Sequence, residues 1–105
     1  MSDILQRLEK TIAGRAGASP EESYVAKLNA KGLPKIAQKV GEEATETLIA
    51  ALSGSDEDLV GESADLIFHL LVLLQAKGVS LDQIMAELDR REGVSGLEEK
   101  ASRSE

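Results

Sequence analysis

The chain contains, at residues 66–74, the sequence Leu66-Ile67-Phe68-His69-Leu70-Leu71-Val72-Leu73-Leu74, which is apolar at every position except His69. The run does not alternate between apolar and polar residues, so it predicts a helix rather than a strand. A helix that is apolar on every side must be buried on every side. A few short helices in a chain of 105 residues cannot easily surround it. A homodimer, in which this helix meets its symmetry mate, would supply the missing cover, and the alternative is the central helix of a compact monomer.

Glycines divide the chain on both sides of this run into about five helices. The first is expected to end at Gly14, the second at Gly32, the third at Gly54, the fourth at Gly78 and the fifth before Gly93. Glycine commonly follows the last helical residue because it adopts the left-handed conformation at no steric cost. The sequence therefore predicts an all-α helical bundle completed by dimerisation.

Capping patterns mark where these helices begin. Residues 19–22, Ser-Pro-Glu-Glu, have the form of a capping box with proline at the first helical position, and are expected to open the second helix. Pro34 is expected to open the third helix, and the acids at 56–58 mark the start of the fourth, where the helix dipole favours negative charge. Ser80 with Gln83 is expected to cap the fifth.

Length and pattern indicate a single domain with a short tail. Residues 1–93 are expected to form the all-α domain, and residues 94–105 a polar C-terminal tail. In this tail, Ser95 and Glu98 have a spacing that allows one short helical turn.

Composition excludes several classes of protein. The net charge of −7 repels the phosphates of nucleic acids, so a nucleic-acid-binding protein is not expected. The chain has no cysteine, which excludes a thiol nucleophile and a cysteine-bound zinc ion. The start lacks the pattern of a signal peptide, and the most apolar stretch is too short to cross a bilayer. We therefore expect a cytoplasmic protein that does not contact membranes.

Two pairs of acids border the apolar run and its partner helix. Glu43 and Glu46 are three residues apart on the third helix, as are Glu62 and Asp65 on the fourth, so each pair lies on one side of its helix. If the chain reverses through Gly54, the two pairs can face each other. Converging carboxylates repel one another and need a cation. Oxygen ligands without His or Cys select Mg²⁺, with Mn²⁺ as a substitute.

The alternative is that these acids are solvated and locally paired. Lys39 stands three and four residues before Glu42 and Glu43, which is the spacing of ion pairs on a helix. Lys35 and Lys39 also lie one turn apart, on nearly the same side as Glu42 and Glu46. Such lysines either neutralise a bound polyphosphate or balance the charge of an acidic helix, and spacing alone does not separate the two.

His69 and Gly41 each stand out in their helix. A single histidine in an apolar run is expected to be buried and bonded to a backbone carbonyl rather than to be a ligand, and without a second histidine zinc is not expected. Glycine within a helix costs about 1 kcal/mol relative to alanine. Gly41 therefore suggests close packing or the approach of a ligand.

The chain resembles the phosphoribosyl-ATP pyrophosphatase family from about residue 4 to residue 91. The resembling segments are Ser23-Tyr24-Val25-Ala26-Lys27-Leu28, Lys31-Gly32-Leu33, Lys35-Ile36, Lys39-Val40-Gly41-Glu42-Glu43-Ala44-Thr45-Glu46, Glu62-Ser63-Ala64-Asp65-Leu66 and residues 69–74. The joint pattern is specific. Its bare Glu-Glu-x-x-Glu and Glu-x-x-Asp elements are shared with the wider superfamily of all-α nucleotide pyrophosphatases.

This resemblance implies an activity and a set of site residues. The activity is hydrolysis of phosphoribosyl-ATP to phosphoribosyl-AMP and pyrophosphate, the second step of histidine biosynthesis, by a Mg²⁺-dependent helical dimer. The superfamily pattern implies that the metal ligands are Glu43, Glu46, Glu62 and Asp65. It places Glu42 as the leading acid of the motif.

The remaining roles are assigned within that activity. Glu42 is expected to position or deprotonate the attacking water, with Glu46 as the alternative. Lys39, and after it Lys35 and Lys27, are expected to hold the phosphates or the additional ribose phosphate. Two other interpretations stay open: a house-cleaning pyrophosphatase that destroys non-standard nucleoside triphosphates at the same metal site, and a dimeric helical module without catalysis.

Overall fold

The computed structural model describes residues 3–93, which form five α-helices with no strand in that range. The helices are α1 Ile4–Ala16, α2 Tyr24–Lys31, α3 Leu33–Ser53, α4 Asp56–Lys77 and α5 Leu81–Glu92. The predicted all-α fold class and the number of helices are therefore confirmed. The C-terminal tail, with the turn predicted at Ser95 and Glu98, lies outside the described residues, so the division at residue 93 stays a prediction.

Four of the five predicted helix ends are confirmed almost to the residue, including that of α5, which ends at Glu92 directly before Gly93. Gly32 follows α2 with a φ of 99° and Gly78 follows α4 with a φ of 76°, both in the region that favours glycine. Gly54 follows α3 with an extended backbone, and its N–H donates to the Ala50 carbonyl. The predicted cap of α5 is also present, because the side chains of Ser80 and Gln83 each bond the backbone N–H of the other.

The predicted end of α1 was wrong, because the helix continues through Gly14 to Ala16. Helical glycine is unfavourable by about 1 kcal/mol, which is too little to end a helix whose apolar side is packed. Ile12, one turn earlier, is almost fully buried and anchors this part of α1.

The predicted start of α2 was also wrong, because the helix begins at Tyr24 and Ser23 is its cap. The Ser19 hydroxyl donates to the Glu21 carboxylate at 2.8 Å, within a turn that precedes the helix. The Ala26 N–H donates to the Ser23 hydroxyl at 3.2 Å instead. A capping pattern satisfied within its own turn does not need to open a helix.

The hydrophobic core lies where α4 meets α1, α2, α3 and the start of α5. Its buried members are Ile12, Val25, Leu28, Ile36, Leu71, Val72 and Leu81. The most extensive packing between two helices is that of α3 with α4. These two run antiparallel because only Gly54 and Ser55 connect them.

The α3–α4 connection requires a glycine. A Cβ atom on Gly54 would lie 3.0 Å from the Ala50 carbonyl oxygen and 3.0 Å from Asp58 Oδ2. The Asp58 carboxylate cannot move away freely, because it accepts the Ser55 N–H at 3.1 Å while the Ser55 hydroxyl accepts the Asp58 N–H. This capping box fixes the start of α4 directly against the end of α3.

α4 is long and apolar enough to span a bilayer by length and composition alone. The central helix of a soluble protein has the same properties, and here α4 packs along α3 and contributes His69, Leu71 and Val72 to the interior. The helix is therefore weak support for a membrane protein. Its remaining apolar surface is open in the single chain, since Ile67 is 43% and Leu70 is 40% exposed.

Candidate metal centre

Three carboxylates from α3 and α4 meet at one place. Glu43, Glu62 and Asp65 each offer a carboxylate oxygen, and these oxygens all lie within 4.8 Å of one another. Glu43 is buried, Glu62 is partly buried and Asp65 is exposed. The group therefore opens from the helix–helix interface towards solvent, as an ion-binding site must.

Glu46, the fourth predicted ligand, lies outside this group. Its side chain is exposed and, with Ile49, Ser53 and Glu62, lines a shallow hollow between α3 and α4. Its negative charge still raises the pKa of Glu62. Glu46 itself lies one helical turn after Glu43 on α3. Its role as a ligand therefore stays a prediction.

The negative charge of the group is only partly balanced. Desolvation raises the pKa of Glu62, and the charges of Glu46, Asp65 and Glu43 raise it further. Within residues 3–93, neither Glu62 nor Asp65 forms an ion pair. Carboxylates that repel one another in this way favour the binding of a cation.

Lys39 provides the positive charge on the α3 side. Its Nζ lies 3.4 Å from Glu42 Oε1 and 3.7 Å from Glu43 Oε1, which confirms the local pairing expected from the spacing. Burial lowers the pKa of Lys39, but its interactions with Tyr24, Glu42 and Glu43 outweigh this and raise it. The ammonium group is therefore held in its charged form beside the carboxylates.

Glu42 is held in one position by two neighbours on α3. Gln38 Nε2 donates to Glu42 Oε2 at 2.8 Å, and Lys39 lies against the other oxygen. The bond from Gln38 lowers the pKa of Glu42, and Lys39 and the charge of Lys35 lower it further. Glu42 is thus an ionised hydrogen-bond acceptor and a weak proton acceptor, which suits positioning of a water better than its deprotonation.

The other two predicted phosphate-binding lysines are less closely connected to the acids. Lys35 is partly buried one turn before Lys39 and acts on Glu42 through its charge. Lys27 is exposed on α2, and the structure gives it no ion pair within residues 3–93. Their substrate-binding roles stay predictions.

An open hollow lies next to Glu42. Gln38, Gly41, Thr45 and Glu46 complete its lining, and its volume is about 500 Å³. A Cβ atom on Gly41 would meet no atom within 4 Å, so the suggestion of close packing at this glycine was wrong. The absence of a side chain leaves room there for a ligand, which is the other reason we expected for a glycine within α3.

Tyr24 on α2 and His69 on α4 lie beside the carboxylates. The Tyr24 hydroxyl lies 2.8 Å from His69 Nε2, and His69 Nδ1 lies 2.7 Å from the backbone carbonyl oxygen of Asp65. Because a carbonyl only accepts, Nδ1 carries a proton and donates it to Asp65. His69 is buried, so the prediction of a buried histidine bonded to a backbone carbonyl is confirmed.

Sequence reasoning missed the side chain of Tyr24. Burial raises the pKa of its hydroxyl, Lys39 opposes this rise, and Glu43, Asp65 and Glu42 add to it. The tyrosine therefore stands among the same charged groups as the acids. A signal was present, because Tyr24 and Phe68 are the only two residues of the Phe, Tyr and Trp class in the chain.

A third hollow, of about 300 Å³, lies between α1 and the α4–α5 connection. Its lining is mainly apolar and includes Leu71, Leu74 and Leu81. The acid that borders it, Glu9, accepts the N–H of Leu81 at 2.7 Å and thereby caps α5. The carboxylate of Glu9 is thus used by the fold, whereas the side-chain oxygen of Gln75, which also lines this hollow, is buried without a hydrogen-bond partner among the described residues.

Comparison with known proteins gives a consistent result. The family model described as phosphoribosyl-ATP pyrophosphohydrolase matches residues 5–92. A protein of Erythrobacter litoralis named phosphoribosyl-ATP pyrophosphatase is 78% identical over 103 residues, which cover 98% of this chain and 99% of that protein. Proteins with the same name from Novosphingobium aromaticivorans and Rhizorhabdus wittichii are 69% and 60% identical, over 97% and 98% of this chain and 95% and 97% of theirs.

Proposed function

The chain belongs to the phosphoribosyl-ATP pyrophosphohydrolase family, and we propose that it hydrolyses phosphoribosyl-ATP to phosphoribosyl-AMP and pyrophosphate, the second step of histidine biosynthesis. The observation that carries this proposal is the meeting of Glu43, Glu62 and Asp65 within 4.8 Å. The same acids were implied by the superfamily pattern in the sequence. A cytoplasmic location follows from this activity.

The donor set fits a magnesium ion. All three carboxylates are hard oxygen ligands, no cysteine is present in the chain, and the single histidine is committed to Tyr24 and the Asp65 carbonyl. We propose that Glu43, Glu62 and Asp65 hold Mg²⁺, or Mn²⁺ in its place, and that Glu46 reaches it as a fourth ligand. When bound, the ion draws negative charge from the triphosphate and lowers the pKa of water.

The other groups of the site act on the substrate and the attacking water. Glu42, fixed by Gln38 and Lys39, accepts a hydrogen bond from the water and aims it at phosphorus. Glu46, which lines one hollow with Glu42 and another with Glu62, is the alternative acceptor.

The lysines neutralise the phosphates. Lys39 stands beside the acids with its ammonium group charged, so it can contact a phosphate oxygen as charge builds up on it. Lys35, one turn away, extends the positive charge along α3. Lys27 on α2 is assigned to the more distant ribose phosphate.

The first test is release of pyrophosphate from phosphoribosyl-ATP with Mg²⁺ and with excess chelator. We expect turnover with the ion and none without it. A panel of free nucleoside triphosphates serves as the competing set of substrates, and a higher kcat/KM for any of them would favour the house-cleaning alternative. Titration of the protein with Mg²⁺ by calorimetry is independent of substrate, and the absence of specific binding would favour a helical module without catalysis.

We also propose that the molecule is a homodimer. Several large apolar side chains of α3 and α4 are open in the single chain: Leu48 at 63%, Ile49 at 58%, Leu52 at 88%, Val60 at 69% and Ile67 at 43% exposure. A contiguous apolar face of this kind is unusual on a monomer. Light scattering should give twice the chain mass, and Leu52→Glu should shift it towards the mass of one chain, while Lys10→Glu on α1 should not.

A further inference from the structure

All three aromatic rings of this chain lie in one place. Tyr24, Phe68 and His69 are its only tyrosine, phenylalanine and histidine, and it has no tryptophan. The Tyr24 and Phe68 rings are stacked, with centroids 6.1 Å apart and planes 22° from parallel. His69 meets both rings edge-on, at 5.6 Å from Tyr24 and 5.2 Å from Phe68. The rest of the core is aliphatic, so the aromatic surface is concentrated rather than spread through the interior.

The outermost of these rings is both fixed and open. The hydroxyl of Tyr24 is tied to His69 at 2.8 Å, and its ring rests on Phe68. Tyr24 is nevertheless 47% exposed. A ring used only to fill the core would be covered, whereas an immobilised and half-open ring is suited to contact a ligand with little loss of conformational entropy.

This ring stands beside the acids. His69, which holds the Tyr24 hydroxyl, bonds the backbone of Asp65, whose side chain belongs to the group of three carboxylates. Lys39 and Glu43 act on the pKa of the hydroxyl from the α3 side. The Tyr24 hydroxyl is thus connected to the backbone of Asp65 through His69, so a nucleotide bound at the acids can bring its base to this ring.

On the basis of the proposed nucleotide hydrolysis, on which this assignment rests, we propose that Tyr24 is a substrate-binding residue whose open ring stacks against the purine base, with Phe68 and His69 holding the ring in place. Stacking of a base on an aromatic ring is a strong and common contact in nucleotide recognition. The other side chains that line the hollows beside the acids are charged, polar, or aliphatic as Ile49 is, and none of them is aromatic.

A direct measurement is possible because Tyr24 is the only tyrosine. In a sample labelled at tyrosine, one set of ring signals reports on this residue alone. Addition of AMP at millimolar concentration should shift these signals upfield through the ring current of adenine. Ribose 5-phosphate and inorganic pyrophosphate, which lack the base, should not. Equal shifts with all three compounds, or none with AMP, would overturn the assignment.

Kinetics of two variants separate the ring from the hydroxyl. Tyr24→Leu should raise KM for phosphoribosyl-ATP roughly tenfold and leave kcat within about threefold, as expected for a contact made equally in ground and transition states. Tyr24→Phe retains the ring but loses the hydroxyl that His69 holds, so its KM should rise less than that of Tyr24→Leu. Inhibition by pyrophosphate, which has no base, should be unchanged in both variants.

The outcomes distinguish this assignment from the proposed function. If the wild type shows no Mg²⁺-dependent turnover, the proposed function is refuted. The AMP titration would still test whether a base contacts the Tyr24 ring. Full activity with an unchanged KM in Tyr24→Leu would end the assignment and leave the function intact. A Tyr24→Leu variant that weakens pyrophosphate inhibition as much as substrate binding would show that the ring shapes the acid group, which also contradicts the proposal. Should this variant fail to fold, the measurement on the wild type decides alone.

Discussion

Glu87 on α5 and the three carboxylates on α3 and α4 differ in how their negative charge is balanced. On α5, Glu87 is paired with Arg90 Nη2 and Arg91 Nε, both at 2.8 Å, and the hydrogen bonds from these arginines lower its pKa to about 2. On α3 and α4, three carboxylates converge from two helices, and the pKa of one of them, Glu62, is raised. The acid on α5 is neutralised by residues of its own helical turn. Among the described acids of the group on α3 and α4, Glu43 is paired with Lys39 at 3.7 Å, whereas Glu62 and Asp65 form no ion pair within residues 3–93, and this difference leaves them available to a cation.

The largest effect should come from the group of three. Asp65→Asn and Glu43→Gln each remove one of the proposed ligands and should lower kcat and Mg²⁺ affinity by at least about 100-fold, with unchanged helical circular dichroism. Glu87→Gln is the matched control on α5 and should retain full activity. Activity retained in either ligand variant would place these acids in the same class as Glu87.

A smaller effect should come from the lysines. Lys39→Met removes the cation beside Glu42 and Glu43 and should lower kcat/KM by roughly 10–100-fold, the value of a hydrogen bond to a charged group. Lys27→Met makes the same change on α2, farther from the acids. If both lysines bind phosphates, Lys27→Met should raise KM for phosphoribosyl-ATP and leave inhibition by pyrophosphate unchanged. Equal kinetics of Lys39→Met and wild type would mean that Lys39 only balances the charge of α3.

A third prediction concerns stability without metal. Glu62→Gln removes a carboxylate whose pKa is raised by desolvation and by its acidic neighbours, so the metal-free variant should melt at a higher temperature than the metal-free wild type. Added Mg²⁺ should raise the melting temperature of the wild type more than that of the variant. Thermal melts followed by circular dichroism measure both. A metal-free Glu62→Gln protein that melts lower would show that the acids do not repel one another.

The smallest effect is expected on α5. The pKa of Glu87 is lowered from 4.5 to about 2 in the folded chain, so its pairing adds stability above pH 4.5 and loses it as the pH falls towards 2. Because these groups are exposed, the contribution is small. Glu87→Gln should lower the melting temperature slightly at pH 7 and not at pH 2. A difference that persists at pH 2 would assign the effect to packing rather than to charge.

Much of the fold could be predicted from single residues. Gly32, Gly54 and Gly78 end their helices as expected, since glycine and a following cap act locally. The two errors have different causes. At Gly14 the packing of Ile12 overrides a local stop signal, and at Ser19 a closed local turn replaces the expected helix start. A local signal therefore marks a helix end only where neither packing nor a competing turn opposes it.

The site was predictable in part for the same reason. Helical spacing places Glu62 and Asp65 together, and antiparallel packing adds Glu43. Helical spacing does not determine whether the Glu46 carboxylate lies close to the group of three, because the direction of its side chain depends on contacts with the neighbouring helix. Tyr24 is 45 residues from His69 along the chain, and no periodicity connects two residues on different helices at that distance. The family resemblance covered Tyr24 without assigning its side chain a role.

The turn at Gly54 has a consequence for how this protein can change. A Cβ atom at this position would lie 3.0 Å from the Ala50 carbonyl oxygen and from Asp58 Oδ2, so a substitution would require these neighbours to shift by a few tenths of an ångström, at the point where α3 and α4 are connected. Glu43 and Glu62 lie eleven and eight residues from this turn. A small change in the angle between α3 and α4 at the turn therefore changes the distance between their carboxylates by a larger amount. Tolerance to mutation at residue 54 should therefore be set by the geometry of a site that this residue never touches.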